Sequence, residues 1–363
     1  MRVDDKTRTY FRNVKQVFLY LGDECNLLCT QCLYKPNVVM GKAIQKDTAK
    51  ALLSVFAELG AYKLTVLGGE ISLYDRHNNW RALEEILAHA RAIGYRYIRI
   101  DTNGQISQFF SQENVFQYID ESSFGIDGYD QKTNDILRGK GAFERAVNSI
   151  HLLKQKNYCP KVNITTCVTR QNTELAGGIS EYLWNMIDFA EKLGIDQINF
   201  HGVFKMGVPM DTWTGESHLD PEEWYLAVDK MIHEEKFRAK NNIRFPLHVI
   251  SKKEFDKHPQ YYGYCPCKLG ERALLHPDGI VRVCSSMLST PYGVAHYNAE
   301  EIVWNEYNNE LRNHEMDKYT PCTNQTGLYS GDLCPICFSI KPYQDELIWV
   351  ENNVEGLKEE SSS

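Results

Sequence analysis

The segment Cys25-Asn26-Leu27-Leu28-Cys29-Thr30-Gln31-Cys32 sets three thiols at C-x3-C-x2-C spacing. A loop this short can wrap three corners of a cubane cluster, and soft thiolates suit iron–sulfur ligation. Three ligands on a [4Fe–4S] cluster leave one iron without a protein thiolate. That iron can chelate a small ligand and pass it an electron. A structural zinc knot is the alternative, but zinc sites normally take four ligands as separated pairs. Gly68-Gly69-Glu70 follows at a distance. Two glycines permit close approach of a ligand to the backbone, and the carboxylate could receive the ammonium of an amino-acid-like ligand. A second group lies near the C-terminus: Cys267-x11-Gly279-x4-Cys284, then Cys334-Pro335-Ile336-Cys337. Four thiolates so spaced could hold a cluster or form a zinc ribbon.

The elements that must position these residues alternate. Short β-branched or aromatic runs predict strands at Val17–Leu21, Lys63–Leu67, Tyr97–Asp101, Ser122–Ile126, Val162–Val168 and Gln197–Val203. Amphipathic runs predict helices at Lys46–Leu59, Trp80–Ile93, Phe143–Lys154, Glu181–Leu193 and Pro221–Glu234, and a shorter one around Val115–Ile119. Gly60, Gly94 and Gly194 stand where C-cap glycines would. Such alternation implies parallel strands with right-handed crossovers. About six units fall short of the eight of a closed barrel, so an open α/β partial barrel is expected, with its chemistry at the C-terminal strand ends. Cys25–Cys32 follows the first strand and Gly68–Glu70 the second. The expected organisation is an N-terminal extension 1–15, the barrel 16–236, a smaller loop-rich cysteine-bearing region 237–350, and a flexible tail 351–363. A turn at His276–Gly279 joins strand-like Ala273–Leu275 and Ile280–Val283.

Composition limits the alternatives. The 363 residues include 40 basic and 48 acidic side chains, a net charge of −8, with 43% hydrophobic residues. That is globular, and the acidic balance argues against nucleic acid as a partner. No apolar run reaches spanning length, and the first residues are not signal-peptide-like, which points away from a membrane and to the cytoplasm. Eleven cysteines in such a chain suit metal or cluster ligation better than disulfides.

With these motifs in place the chain resembles the radical SAM enzymes over most of its length. The triad matches their cluster signature, and Gly68–Glu70 matches the motif that holds the methionine amino group of S-adenosylmethionine. The run Ile100-Asp101-Thr102-Asn103-Gly104 resembles the family's third-strand end. Phe124-Gly125-Ile126-Asp127-Gly128 and Leu137-Arg138-Gly139-Lys140-Gly141 resemble the fourth-strand region of peptide-modifying members. Arg170 lies where a polar residue often meets the cofactor's carboxylate or ribose. The resemblance implies a partial (β/α)6 barrel and cofactor contacts at Asp101, Asn103 and Arg170. Three positions depart from the family. Gln31 replaces the aromatic residue that touches adenine, although Tyr34 lies nearby. Ile71 stands where a proline often follows the motif. Gly125 replaces a serine, which puts a ribose contact in doubt.

The C-terminal cysteines resemble SPASM and twitch extensions. No cysteine follows Cys337, so the implied arrangement is one auxiliary [4Fe–4S] cluster on Cys267, Cys284, Cys334 and Cys337, with Cys265 and Cys322 as possible substitutes. The mechanism implied is reductive cleavage of S-adenosylmethionine to a 5′-deoxyadenosyl radical, which abstracts a substrate hydrogen. Electrons would come from a donor such as flavodoxin or ferredoxin. A ribosomally made precursor peptide is the expected substrate, giving a crosslink, a thioether or an inverted centre. Dehydrogenation or epimerisation of a small molecule, such as an aminocyclitol or amino sugar, is the alternative. With the triad starting at residue 25, a leader-binding domain is expected on a separate protein. Cys159, Cys167, Cys265 and Cys322 are candidate hydrogen-atom donors, with Cys167 read as a core thiol within an apolar strand. Asp101, Asp127, His201 and Lys205 are further candidates for facing the cavity.

Overall fold

The computed structural model describes residues 1–32, 34, 41–204, 217–238, 240, 242–251, 253, 269–285, 293–306 and 333–336. Its strands are β1 (Arg2–Val3), β2 (Gln16–Tyr20), β3 (Lys63–Leu67), β4 (Tyr97–Thr102), β5 (Glu121–Gly125), β6 (Lys161–Val168) and β7 (Gln197–Gly202). They continue with β8 (Ile243–Ser251), β9 (Arg272–Leu275), β10 (Ile280–Arg282), β11 (Ala295–Tyr297), β12 (Glu301–Trp304) and β13 (Leu333–Ile336). The six expected strands are β2 to β7, paired in chain order and all parallel. The class is mixed α/β with a parallel core.

Two further strands extend the parallel run, β9 beside β2 and β8 beside β7. Sequence reading missed β8 because Pro246 interrupts it, and proline removes a ladder donor. The structure absorbs the proline at an irregularity: Asn199 pairs with Arg244 but His201 with Leu247. Antiparallel β13 then pairs with the far half of β8. On the other flank β10, β11 and β12 continue the sheet antiparallel, and N-terminal β1 pairs with β12.

Helices cover one face of the parallel sheet. The helix Lys46–Glu58 buries Ala49, Leu52, Leu53, Val55 and Phe56, and Arg81–Ala92 buries Leu83, Ile86, Leu87 and Ala90. Ala142–Lys156, Ile179–Lys192 and Pro221–His233 follow the same pattern. Gly60, Gly94 and Gly194 all have positive φ past helix ends, as expected of C-caps.

The opposite face of the strands is polar. Arg99 pairs with Asp101 at 2.6 Å and with Glu121 at 3.2 Å. Asn163 donates to Glu121 at 2.6 Å, and the Ser123 and Thr165 hydroxyls lie 2.8 Å apart. Burial pushes the Glu121 carboxyl up, but Arg99, Lys161 and Lys63 outweigh it and hold the group below its usual range. Parallel strands buried on both faces read as continuous apolar runs. Here the alternation Asn163, Thr165, Cys167 and Gln197, Asn199, His201 marks a polar-lined interior. Among the described residues no helix is long and apolar enough to cross a membrane.

His276, at the end of β9, is buried, stacks on Tyr20 with ring centroids 4.0 Å apart, and has no partner for Nε2. Burial lowers its pKa to about 3, and nearby Arg282 adds to the effect. The unfolded chain therefore binds a proton between about pH 6.5 and pH 3 that the folded chain does not. Stability is expected to fall as pH drops through this window, by about 1.4 kcal/mol per pH unit from this residue. Urea midpoints at pH 7 and pH 5 measure it; His276→Phe should flatten the dependence.

Candidate functional site

Beyond Tyr20 the chain turns over the C-terminal ends of the strands and carries the three cysteines. Backbone bonds fasten its first half to β3: Leu21 N donates to Leu67 O at 2.9 Å, Gly69 N to Gly22 O at 2.8 Å, and Glu70 N to Glu24 O at 2.8 Å. A Cβ on Gly68 would fall inside the contact distance of the Gly22 carbonyl oxygen. One on Gly69 would collide with the carbonyls of Asp23 and Glu24. The close approach expected of a ligand is thus made by the cysteine loop itself.

Glu70 is buried, and its carboxylate ties two strand ends together. Oε1 accepts from Ser72 N at 3.0 Å and from the Thr102 hydroxyl at 2.7 Å, and Oε2 accepts from Asn103 N at 2.6 Å. A carboxylate has about four acceptor positions, so most of its capacity is engaged. Asn103 reaches back to the loop. Its Nδ2 donates to Asn26 Oδ1 at 2.8 Å and to Cys25 Sγ at 3.7 Å.

The second half of the loop docks on the other side of the mouth. Thr30 N donates to Leu137 O at 3.1 Å, and Gln31 Nε2 donates to Asp127. Asp127 is fully buried. It also accepts from Arg138 Nε at 2.5 Å and from Cys167 N at 2.7 Å, while its backbone carbonyl takes Asn172 at 2.8 Å and Tyr182 at 3.0 Å. Those ties make Asp127 a fastening point for the loop. The helix Gln131–Arg138, which the sequence reading did not place, delivers Arg138; Asp130 and Thr133 form its capping box.

All three thiols are half-buried. Burial pushes Cys25 up to about 12, with Glu70, Cys29 and Cys32 adding repulsion. Burial pushes Cys29 up to about 11, although Arg138 pulls it down. Among the described residues no three histidine, cysteine, aspartate or glutamate side chains are gathered into a ready metal cage. The thiols are neighbours on one loop. Their softness, the Asn103 donor at Cys25 and the guanidinium near Cys29 are the features that fit a cluster.

The remaining candidates divide. Asp101 is held by Arg99 and lies about a third accessible in the interior; burial raises its pKa. His201 occupies β7, where burial and then Arg99 lower its pKa to about 4. Cys167, opposite His201 in the β6–β7 register, corrects the core reading: it is half-buried, and Asp127, Cys32 and Cys29 join burial in raising its pKa. Cys159 does sit in the apolar core. Tyr34 is packed inward beside Tyr20 and His276, its hydroxyl donating to buried Asp23. Arg170 is exposed and donates to His218 O at 3.2 Å. It lines an open groove of about 690 Å³ with Glu174, Glu181 and Leu226. The structure therefore ties Gly69, Glu70, Asn103 and Cys25 to one another through the loop, keeps Cys29 and Cys32 on that loop with Cys32 packed against the Tyr20–Tyr34 cluster, and leaves Arg170 outside these contacts. Arg138 and Asp127 are the positions whose roles sequence reasoning undervalued; their signal was the run Asp127-Gly128 followed by a capped helix ending in arginine.

Of the C-terminal cysteines, Cys284 is buried after β10 and Cys334 lies on β13. Cys265, Cys267, Cys322 and Cys337, like Lys205, lie outside the described residues.

A parallel sheet with a cysteine loop across the C-terminal ends of its strands defines an α/β fold. The sequence model of the Radical SAM superfamily matches residues 19–179. A probable GTP 3′,8-cyclase of Metallosphaera sedula is 22% identical over 279 residues, 76% of this chain and 82% of that one. The mycofactocin maturase MftC of Mycolicibacterium smegmatis is 25% identical over 152 residues, 41% of this chain and 36% of that one. Among solved structures, Streptococcus suis SuiB bound to precursor peptide SuiA is similar with a TM-score of 0.61 at 15% identity. That match covers 81% of this chain and 64% of SuiB, just under two thirds. The structure of anSMEcpe with bound AdoMet and a peptide gives a TM-score of 0.56 at 14% identity, covering 78% and 77%. These structural likenesses establish the fold.

Proposed function

We propose that Cys25, Cys29 and Cys32 hold a [4Fe–4S] cluster and that the chain is a radical SAM enzyme acting on a ribosomally made peptide. Cluster and S-adenosylmethionine together supply the hydrogen-abstracting chemistry by one-electron cleavage of the sulfonium; the protein supplies position and exclusion. The observation that carries this reading is the double fastening of the cysteine loop, to Gly69 and Glu70 on one flank and to Asp127 on the other. Asn103 steadies the Cys25 ligand, and Glu70 keeps the β3 and β4 ends in register with it. Asp101, Cys167 and His201 line the path by which a substrate would reach the mouth.

The peptide assignment draws on the relative named as a mycofactocin maturase. A small-molecule substrate is the second reading, and the relatives named GTP 3′,8-cyclases favour it because they align over most of their length. We further assign Cys267, Cys284, Cys334 and Cys337 to one auxiliary cluster in a twitch-like region within 237–350. A flavodoxin- or ferredoxin-type donor in the cytoplasm would supply electrons.

Anaerobic reconstitution should load about eight irons per chain, falling to about four in the triple alanine variant of Cys25, Cys29 and Cys32. Reduced protein should convert S-adenosylmethionine to 5′-deoxyadenosine, and the triple variant should not. Absence of that product in the presence of candidate peptides and GTP would refute the enzyme assignment. A mass change in a co-expressed peptide, against consumption of GTP, separates the two substrate readings.

A further inference from the structure

The cysteine loop is closed on itself by side chains. Tyr34, two residues past Cys32, donates its hydroxyl to the buried carboxylate of Asp23, two residues before Cys25. Asp23 is fixed in turn by its backbone: its N–H donates to Lys42 O at 2.8 Å, and its carbonyl lies against Gly69. The Tyr34 ring leans on Tyr20 with centroids 5.2 Å apart, and Cys32 packs against this pair. The third ring of the group comes from far along the chain. His276 stacks on Tyr20 with centroids 4.0 Å apart and lies 5.6 Å from Tyr34. β9 carries it there, because Arg272–Leu275 pair in parallel with Gln16–Leu19 of β2, and Tyr297 ties down the His276 carbonyl with its hydroxyl. Nε2 of His276 is buried without a partner, so the faces of the ring, not that nitrogen, fasten it. Such ring contacts stabilise beyond the area they bury.

We propose that His276 is a positioning residue for the cluster ligand Cys32, acting through Tyr20 and Tyr34, so that the first cysteine loop is complete only with the C-terminal strand β9 in place. The proposal rests on the radical SAM reading. It goes beyond that reading by making the region after residue 237 part of the first cluster's seat, apart from any cluster of its own.

Two readouts test it. In iron-free protein, the rate at which iodoacetamide alkylates Cys32, mapped by mass spectrometry, reports how firmly the loop is held. Cys159, in the apolar core, is the internal reference for global unfolding. In iron-loaded, reduced protein, the change in the EPR spectrum on adding S-adenosylmethionine reports the cluster whose iron is open to a new ligand. His276→Ala should speed alkylation of Cys32 roughly 3- to 10-fold with Cys159 unchanged, as expected when a ring contact is lost and the segment opens locally. The share of the EPR signal that responds to S-adenosylmethionine should fall by about half or more. His276→Phe keeps the stack and should stay within about twofold of wild type on both readouts. Tyr34→Phe keeps the ring but loses the tie to Asp23, and should resemble His276→Ala. Should His276→Ala also speed the reaction of Cys159, His276→Leu, which refills the volume without a flat ring, takes its place with the same expected outcomes. Wild-type behaviour of the ring-deleted variant, or a His276→Phe variant as impaired as it, overturns the proposal. If loaded wild-type protein shows no EPR response to S-adenosylmethionine, the radical SAM reading falls, and the alkylation rates still decide whether His276 seats the loop.

Discussion

Gly69→Ala is expected to abolish cluster loading while sparing most of the fold. The added methyl would overlap the backbone carbonyls of Asp23 and Glu24, and backbone cannot move aside as a flexible side chain can. The cheapest relief is to lift the cysteine loop, which breaks Gly69 N to Gly22 O and Glu70 N to Glu24 O. Overpacking of this kind typically costs about 1–3 kcal/mol. The rest of the sheet has its own core of buried side chains beneath the helices, so most stability should survive. Iron content after reconstitution should fall by about four per chain, and a denaturant midpoint should shift only modestly. Wild-type iron content would show that the loop tolerates the methyl and that Gly69 is not its clamp.

Removing Asp127 should be the most destabilising single change at the mouth. Asp127→Ala leaves the buried Arg138 guanidinium without its counter-ion and strips acceptors from Gln31 and from Cys167 N. Breaking one side of a buried ion pair typically costs about 3–5 kcal/mol. Replacing both charges with apolar side chains is often close to neutral. The double variant Asp127→Ala/Arg138→Met is therefore expected to regain much of the lost stability in urea. It should not regain the docking of Thr30 and Gln31, which amide hydrogen exchange at these residues would report. A double variant as unstable as the single one would mean that Cys167 N and Gln31, rather than the uncompensated guanidinium, dominate the cost.

Much of the fold was legible because local signals agreed with one another. The apolar spacing of Leu52, Leu53 and Phe56, the glycines past three helices, and the β-branched runs all named their elements within one or two residues. β8 was not legible, because the irregularity that accommodates Pro246 exists only where β7 lies alongside. The short β11 and β12 are likewise ordered by their neighbours. Cys167 was misjudged because its strand looked apolar, whereas alternate residues of β6 face a polar interior that pairing with β5 and β7 creates.

By itself the sequence determined the donor set: three thiols at cubane spacing, two glycines and a glutamate, each just past a strand. Chain order and hydrophobic period suffice for that, since parallel crossovers deliver consecutive strand ends to one mouth. Only the tertiary structure decided what each residue does there. It made Gly68 and Gly69 seats for the cysteine loop, turned Tyr34 inward and Arg170 outward, and set Arg138 against Asp127. Those roles depend on which backbone segments meet across the mouth. Contacts between residues far apart in sequence, such as Gln31 and Asp127 at a separation of 96 positions, leave no local periodicity to read.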